Sequence, residues 1–319
     1  MRLPRSLPGF LAALVLVATG CSGSANPPAE RGSGSPAAAL ASGAFPVTIT
    51  DDDGIAVTMK SPPQRIVTFA PSNTEIVFAL GLGARLVGVS GRFDDYPPAA
   101  RKIDEIGGAG DFGVDPNIEK VVALQPDLML AISGGEQWKD RLRELGIPVF
   151  TINATGFDDL VHDIRTVGRL TGATVAAEQL ASKMQEQERT IVGDLSSEPR
   201  VTCFFEAFYP PLTTVGPDTF IADLLAKAGC DSVSASAKTD YPEWSVEDLV
   251  KENPSVYLVS SESGASPAAV AARPGFDAVD AVAHGDVVPV NSDLVSRPGP
   301  RVVLGLRALA EALHPDAFP

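Results

Sequence analysis

Residues 118–128 read IEKVVALQPDL, and residues 246–256 read VEDLVKENPSV. In both copies a glutamate opens an amphipathic helix, a proline follows seven residues later, and an apolar strand comes next. The two strands end at Ser133 and Ser261, which also correspond. A helix–strand unit that occurs twice in the same order predicts two related α/β lobes.

Short apolar strands alternate with amphipathic helices around both copies of this unit. The alternation begins near Arg65, runs to Ile152, resumes at Arg200 and continues to a C-terminal helix at 302–313. Strands that alternate with helices are typical of parallel sheets covered on both faces. Ahead of the first lobe, an Asp-Gly turn at 53–54 between two alternating runs predicts a β-hairpin.

The two halves are separated by a long helical segment. Residues 174–195 contain no proline and one glycine, Gly193, and their apolar residues recur at mostly helical spacings. At about 1.5 Å per residue, this helix would be roughly 33 Å long, which is enough to cross between lobes. A surface helix within one lobe is the alternative. The sequence thus predicts an α/β fold with a ligand cleft between two Rossmann-like lobes (47–173 and 197–319), joined by one long helix (174–196).

The first residues have the order of a cleavable export signal. Arg2 and Arg5 precede an apolar run at 10–17, and small residues then lead to Cys21. The apolar run is shorter than a membrane span, which needs roughly 20 residues. We expect a lipid on Cys21 that anchors the protein to the extracytoplasmic face of the cell membrane, with plain secretion as the alternative. The expected segments are a lipoprotein signal peptide (1–20) and a flexible tether rich in Ser, Gly, Pro and Ala (21–46).

Several function classes lack the residues that they need. The formal charge is −15, and no basic run is present, which argues against nucleic acid as a partner. The histidines His162, His284 and His314 are scattered without a carboxylate or cysteine at ligand spacing, so we expect no protein-built metal site. The sequence contains no Walker or G-x-S-x-G motif, and no G-x-G-x-x-G follows a predicted strand. We therefore expect no catalytic residues and no cofactor; a Ser-His-Asp arrangement assembled in space is the alternative.

Two cysteines remain for the folded part of the chain. Cys203 lies at the start of a predicted strand, and Cys230 follows the next predicted helix. A helix that returns antiparallel to its strand ends near the start of that strand, so the two cysteines can meet. An exported setting permits a disulfide between them. Two buried free thiols are the alternative.

The candidate ligand residues follow the ends of the predicted strands or lie in nearby loops. In open parallel sheets, ligands bind beyond the carboxyl ends of the strands. Aromatic residues are few in this chain, and aromatic walls with a few polar groups suit a bulky, partly apolar ligand. The alternative for each ring is a place in the core. The predicted ligand-binding residues are Asn73, Arg92, Phe93, Phe208, Tyr209, Tyr241, Asp293 and Arg297.

Three glutamates lie near predicted helix starts. Ser72-x-x-Glu75 fits a capping box, which predicts a structural role for Glu75. Glu119 and Glu247 lie in first helical turns, where the helix dipole favours negative charge. Their equivalent places also predict two carboxylates on one edge of the protein, one from each lobe. A two-fold symmetric partner with one arginine in each subunit would fit this pair.

Further motifs give the chain a resemblance to a known family, the substrate-binding lipoproteins of ABC importers for ferric siderophores, haem and cobalamin. The resemblance covers nearly the whole mature chain and is carried by Gln64-Arg65-Ile66-Val67, Pro71-Ser72-Asn73-Thr74-Glu75, Asp95-Tyr96-Pro97-Pro98, residues 118–128, Trp244-Ser245-Val246-Glu247 and Ser296-Arg297-Pro298-Gly299-Pro300-Arg301. It implies two lobes joined by a long helix, with the ligand in the cleft. It also implies a monomer whose Glu119 and Glu247 dock onto arginines of a dimeric permease, which separate ATPase subunits drive.

The resemblance leaves the cargo open among several metal chelates. The layout resembles the cobalamin-binding members, but Tyr241 falls where they have a pocket tryptophan, and Arg92 where they have a pocket tyrosine. Arg92 and Arg297 suit an anionic ferric chelate, because guanidinium offers fork-like donors to oxygen groups. We expect a ferric siderophore ahead of cobalamin or haem. The alternatives of another class are a lipid-anchored hydrolase and a surface receptor that does not transport.

Overall fold

The computed structural model describes residues 45–107 and 115–318 of the chain. The predicted signal peptide, Cys21 and nearly all of the predicted tether lie outside these residues. The described strands are β1 (Val47–Thr50), β2 (Ala56–Met59), β3 (Ile66–Thr68), β4 (Leu86–Gly88), β5 (Leu128–Ala131), β6 (Val149–Thr151), β7 (Val201–Glu206), β8 (Cys230–Ser232), β9 (Val256–Ser260) and β10 (Val287–Val290). The described α-helices are α1 (Pro71–Ala79), α2 (Ile118–Ala123), α3 (Glu136–Glu144), α4 (Phe157–Thr171), α5 (Thr174–Asp194), α6 (Phe220–Lys227), α7 (Val246–Glu252), α8 (Pro267–Ala271), α9 (Asp280–His284), α10 (Ser292–Val295) and α11 (Val302–Leu313).

The antiparallel pair β1–β2 is the predicted hairpin, and its turn joins it to the first lobe. Gly54, in this turn, has a φ of 80°, a left-handed conformation that glycine adopts without strain. Lys139 of α3 is fully buried and donates hydrogen bonds to Asp53 (2.7 Å) and Thr151 (3.0 Å). The N–H of Thr151 donates to Asp51 (3.0 Å). The hairpin is therefore fixed to the sheet of the first lobe by buried polar contacts.

Two four-stranded parallel sheets form the cores of the two lobes. The strand order is β4-β3-β5-β6 in the first lobe and β8-β7-β9-β10 in the second. If the four strands of each lobe are numbered in chain order, both sheets have the strand order 2-1-3-4. All neighbouring strands in both sheets run parallel. The shared order confirms the prediction of two related α/β lobes.

The repeated helix–strand unit adopts the same local structure twice. Asn117 caps α2, and its side chain accepts a hydrogen bond from a first-turn N–H at 2.9 Å. Ser245 occupies the equivalent position and caps α7 in the same way, also at 2.9 Å. After each helix, the residue before the proline has a left-handed backbone conformation. These residues, Gln125 (φ 48°) and Asn253 (φ 45°), are the only non-glycine residues with positive φ in the described part of the chain.

The predicted connecting helix is α5, and it contacts both lobes. It packs closely on α4 of the first lobe, where a Cβ atom at Gly168 would lie only 2.2 Å from that of Ala177. Toward its other end, Glu188 forms an ion pair with Lys227 of α6 in the second lobe at 3.0 Å. A helix confined to one lobe, which was the alternative, would not make both contacts.

The second lobe carries a disulfide between Cys203 and Cys230, so the bonded alternative is the one observed. Cys203 lies on β7, and Cys230 begins the neighbouring parallel strand β8. The bond spans a sequence separation of 27 residues. Closing a loop of this length stabilises a fold by about 3–4 kcal/mol in the chain-entropy description.

Candidate ligand cleft and docking edge

The strand order places a ligand crevice at one end of each sheet. In each lobe the chain moves from the first strand to one side of the sheet and from the third strand to the other side. Ligands bind where such connections diverge, beyond the carboxyl ends of the strands. This point follows β3 and β5 in the first lobe, and β7 and β9 in the second. Asn73 lies shortly after β3, and Phe208 and Tyr209 lie shortly after β7.

Arg297 brings four of the predicted ligand residues together. Its Nη1 donates to the carbonyl oxygen of Phe93 at 3.1 Å, and its Nη2 lies 2.6 Å from Asp293 Oδ1. Arg92 places its guanidinium 4.6 Å from the centre of the Phe93 ring. Nη1 of Arg297 also lies 3.4 Å from Asp95 Oδ1. Because Phe93 follows β4 and Arg297 belongs to the second lobe, these contacts join the two lobes.

Arg301, from the same segment of the second lobe, makes another ion pair between the lobes. Its Nε and Nη2 lie 2.9 and 2.6 Å from the two carboxylate oxygens of Glu75. The guanidinium also lies 4.1 Å from the centre of the Tyr96 ring. Burial raises the pKa of Glu75, and the bonds from Arg301 act against that rise. We call the following residues the interlobe network: Glu75, Asp95, Asp293, Arg297 and Arg301.

The contact between Glu75 and Arg301 corrects the capping-box prediction, which is wrong. α1 begins at Pro71, its N-cap residue is Ala70, and no side chain caps it. Ser72 therefore lies inside the helix and not at its N-cap. The spacing in the sequence fits a capping box, but it cannot show a partner that is 226 residues away.

The loop after β4, which carries two of the predicted ligand residues, is fixed by a buried carboxylate. Asp94 accepts hydrogen bonds from the hydroxyls of Thr74 and Ser90 and from the N–H of Gly91 (2.9 Å). Burial raises the pKa of Asp94, although these donors favour its charged form. Asp94 was not among the predicted site residues, because hydroxyl donors from a loop and a helix form no recognisable motif.

Two exposed aromatic rings lie on hydrogen-bonded loops of the second lobe. Phe208 and Tyr241 are 49% and 57% exposed. The N–H of Thr213 donates to the carbonyl oxygen of Phe208 at 2.9 Å, and the N–H of Thr214 donates to that of Pro242 at 3.1 Å. These bonds tie the loop after β7 to the loop that contains Tyr241. Both rings therefore stand on backbone that is already fixed.

The ring of Tyr209 lies against a buried ion pair. The Arg273 guanidinium carbon is 3.7 Å from the ring centre, and its Nη1 and Nη2 are 2.5 and 3.0 Å from the carboxylate of Glu206. The hydroxyls of Tyr257 and Ser263 also donate to Glu206. Burial alone would raise the pKa of Glu206, but the hydrogen bonds from these donors hold it below its usual value. The cluster has no local sequence signal, since 67 residues separate its two charges.

Asn73 is buried, and part of its side chain lacks a partner. The residue is 2% exposed, and its Nδ2 has no hydrogen-bond partner in the part of the chain that the structure describes. A buried amide donor without a partner destabilises a fold by about 1–3 kcal/mol. Buried polar groups of this kind call for an explanation, and an acceptor on a bound ligand would provide one.

Within 45–107 and 115–318, the structure shows neither a metal site nor a membrane span. No group of three or more His, Cys, Asp or Glu side chains in these ranges is placed to hold a metal ion. None of the helices found there is long and apolar enough to cross a membrane. His162 and His284 are exposed on different helices, and His314 is buried after α11.

A comparison with protein families agrees with this architecture. The periplasmic binding protein family matches residues 66–294, from β3 of the first lobe into α10 of the second. The chain belongs to the periplasmic binding protein family. The match includes all the predicted ligand residues except Arg297, and both predicted docking carboxylates.

Individual relatives of this periplasmic binding protein match over most of their length. YvrC of Bacillus subtilis (strain 168), described as an uncharacterised ABC transporter substrate-binding lipoprotein, is 36% identical over 97% of this chain and 98% of its own. A cobalamin-binding protein of Halobacterium salinarum is 34% identical over 85% of this chain and 74% of its own. A solved structure described as the ABC-type Fe3+-hydroxamate transport system of Saccharomonospora viridis has a TM-score of 0.71 and 26% identity. It covers 84% of this chain and 99% of that one.

The two predicted docking carboxylates of this family member occupy equivalent places. Glu119 and Glu247 are exposed, and each lies in the first turn of its helix, α2 or α7. The helix dipole favours negative charge at such positions. The protein thus offers one accessible carboxylate at the matching position of each lobe.

Proposed function

We propose that this chain is the substrate-binding component of an ABC importer and that its cargo is a cobalamin-type corrinoid. The observation that carries the proposal is the set of exposed rings on fixed loops, Phe208 and Tyr241 on the second lobe and Phe93 (39% exposed) on the first. Such rings give a bulky, partly apolar ligand a large contact area. The H. salinarum relative, named as a cobalamin-binding protein, supports the same cargo.

The charges near Arg297 favour a cargo without strong negative charge. The expectation of a ferric siderophore rested on Arg92 and Arg297, but Arg297 already pairs with carboxylates. Five carboxylates outnumber the three guanidinium groups of Arg92, Arg297 and Arg301 in this region, so an anionic ferric catecholate would meet like charge. A corrinoid presents neutral amides, whose oxygens suit the buried donor of Asn73. The acidic residues that interact with Arg297 are Glu75, Asp94, Asp95, Glu262 and Asp293.

A ferric hydroxamate is the second candidate cargo. The S. viridis structure, described as a Fe3+-hydroxamate transport system, supports this candidate. Three hydroxamate groups balance the charge of Fe3+, so this chelate avoids the repulsion that a catecholate would meet. Haem is less suited than either candidate, because its propionates are anionic.

The partner and location in this proposal follow from the docking edge and the N-terminus. Glu119 and Glu247 dock onto one arginine from each subunit of a dimeric permease, and their matching positions support a partner with two-fold symmetry. A lipid on Cys21 holds the monomeric protein on the extracytoplasmic face of the membrane; YvrC is likewise described as a lipoprotein. Separate ATPase subunits supply the energy of transport, and the cargo is passed on without chemical change.

Calorimetric titration tests the cargo. We expect the tether-free protein, starting near residue 45, to bind cyanocobalamin one to one with micromolar affinity or better. Parallel titrations use a ferric hydroxamate, a ferric catecholate and haem. Binding of the hydroxamate alone would select the second candidate, and binding of the catecholate alone would contradict the charge argument. Failure of all four to bind would refute a metal-chelate cargo, and hydrolysis of a bound compound would favour the enzyme alternative.

A further inference from the structure

An apolar groove lies beside the docking carboxylate of the first lobe. Its walls include Val122 and Leu145, which are 39% and 46% exposed although both are apolar. Arg141, another wall residue, forms its ion pair with Glu144 at 3.1 Å. Glu119 forms no ion pair within the described residues, so its charge remains available to a partner. We call this site the α2 groove; its volume is about 540 Å3, and it is lined by Ile118, Glu119, Val122, Ala123, Arg141 and Leu145.

The second lobe has different side chains at the equivalent positions. In the repeat, Val122 corresponds to Val250, and Ala123 corresponds to Lys251. Val250 is half-buried against the core of the second lobe, and Lys251 is exposed. The exposed side chains of α7 are all charged, whereas α2 exposes Val122 and Ala123 as well as Glu119 and Lys120. The two docking faces therefore share a carboxylate and differ in what surrounds it.

We propose that the α2 groove receives an apolar side chain of the permease, next to the basic residue that Glu119 binds. This inference rests on the proposed function, because it concerns the partner at the same docking edge. A carboxylate at the rim selects a basic residue, and apolar walls select an apolar neighbour of that residue in the same permease loop. Docking removes Val122 and Leu145 from water, which is favourable in proportion to the apolar area that is covered.

The two docking contacts are consequently unequal. A two-fold symmetric permease offers the same loop to both lobes. At α7 that loop meets charged side chains, so salt screens the contact. At α2 the loop also meets the groove, and salt does not screen the apolar part of that contact. The first lobe is thus the firmer of the two attachments, and it dominates binding at high ionic strength.

Uptake by cells and binding to the detergent-solubilised permease complex test this proposal. Full-length variants replace the gene in its source cells, and the initial uptake of radiolabelled cyanocobalamin is measured. Val122→Thr plus Leu145→Gln makes the groove polar at similar side-chain size. Val192→Thr, at a valine of α5 that is 37% exposed, is the matched control. We expect the groove variant to lose about tenfold in permease binding and uptake, more at high salt, with unchanged affinity for cyanocobalamin.

Other outcomes separate the groove from the proposed function. If the groove variant matches Val192→Thr while Glu119→Ala plus Glu247→Ala abolishes permease binding, the groove is refuted and the proposed function stands. A groove variant that loses affinity for cyanocobalamin also refutes the groove, because the change would then act on the fold. If the double glutamate variant binds the permease as well as the unaltered chain does, docking through these carboxylates is refuted, and the groove proposal is refuted with it. Failure of the unaltered chain to bind the permease would instead refute the proposed function.

Discussion

In the first lobe, the loop at the mouth of the cleft is fixed by Asp94 and uncharged donors, whereas in the second lobe the buried pair Glu206–Arg273 lies beneath the ring of Tyr209. The two capped helices also differ, since α2 exposes a valine and an alanine as well as two charged residues, whereas every exposed side chain of α7 is charged. Yet both lobes have the same strand order, the same capped helix and the same left-handed residue before a proline.

The shared features all concern backbone geometry. A helix start needs an acceptor for its free N–H groups, and the turn into the third strand needs one left-handed residue. Under the proposed function, side chains at the cleft and at the docking edge instead meet the cargo and the permease. The common fold therefore fixes where each lobe can act, while the side chains added to it determine which molecules it can bind.

The comparison predicts the largest loss of stability for removal of Arg273. Arg273→Met leaves Glu206 buried without its cation, and breaking a buried ion pair from one side destabilises by about 3–5 kcal/mol. Asp94→Asn, the counterpart in the first lobe, keeps an acceptor for the hydroxyl donors and should lower the free energy of unfolding by about 1–2 kcal/mol. Urea unfolding followed by circular dichroism measures both. Equal losses would show that the two loops are held with equal strength.

A pH dependence is expected from Asp163, on α4 of the first lobe. Burial, followed by the charges of Asp52 and Asp159, raises the pKa of Asp163 to about 8. Because the pKa of Asp163 is higher in the folded state than in the unfolded state, the group contributes its full stability at low pH, where it is protonated in both states. This contribution then falls by about 1.4 kcal/mol per pH unit as the pH rises toward that pKa.

Asp163→Asn should remove this dependence. Its free energy of unfolding, relative to the unaltered chain, should therefore rise by roughly 2–3 kcal/mol between pH 5 and pH 7. Urea unfolding at the two pH values measures the change, with Asp158→Asn, at an exposed position of the same helix, as the control. Parallel behaviour of the Asp163 variant and the unaltered chain would contradict the prediction.

The smallest effects are expected at the two equivalent helix caps. Asn117→Ala and Ser245→Ala each remove one side-chain hydrogen bond to a first-turn N–H, which should lower the free energy of unfolding by about 1 kcal/mol. Exchanging the caps, as Asn117→Ser and Ser245→Asn, should retain most of that stability. Urea midpoints measure all four variants. A clear loss at only one of the caps would show that the repeats are not equivalent there.

Features that depend on local spacing could be predicted from the sequence. The repeat predicted both lobes, and the absence of proline over 174–195 predicted a connecting helix (174–196) that ends two residues beyond its observed end. The positions of Cys203 and Cys230 allowed the disulfide, because a helix returns its chain to the start of the preceding strand. Each of these inferences uses residues that are close in sequence or follow a regular period.

Contacts between distant parts of the chain could not be predicted in this way. Glu75 fitted the local spacing of a capping box. Its partner Arg301 lies on the other lobe, where no local pattern could reveal it. Arg297 looked available to an anionic ligand, but it is neutralised by carboxylates of both lobes. The sequence did contain one signal for the pairing of Arg297. Asp293 precedes it by four residues, the spacing at which opposite charges meet on a helix.

The crosslink of the second lobe matters for how the protein is produced. Disulfides persist in oxidising compartments and are rare in the cytosol, where thiols are kept reduced. A chain made in a bacterial cytoplasm would therefore enclose two thiols between β7 and β8, where both cysteines are buried. Such recombinant material would differ from the exported protein in one lobe only and would melt first in that lobe. Export to the periplasm, or reoxidation after purification, restores the native covalent form before affinities are compared.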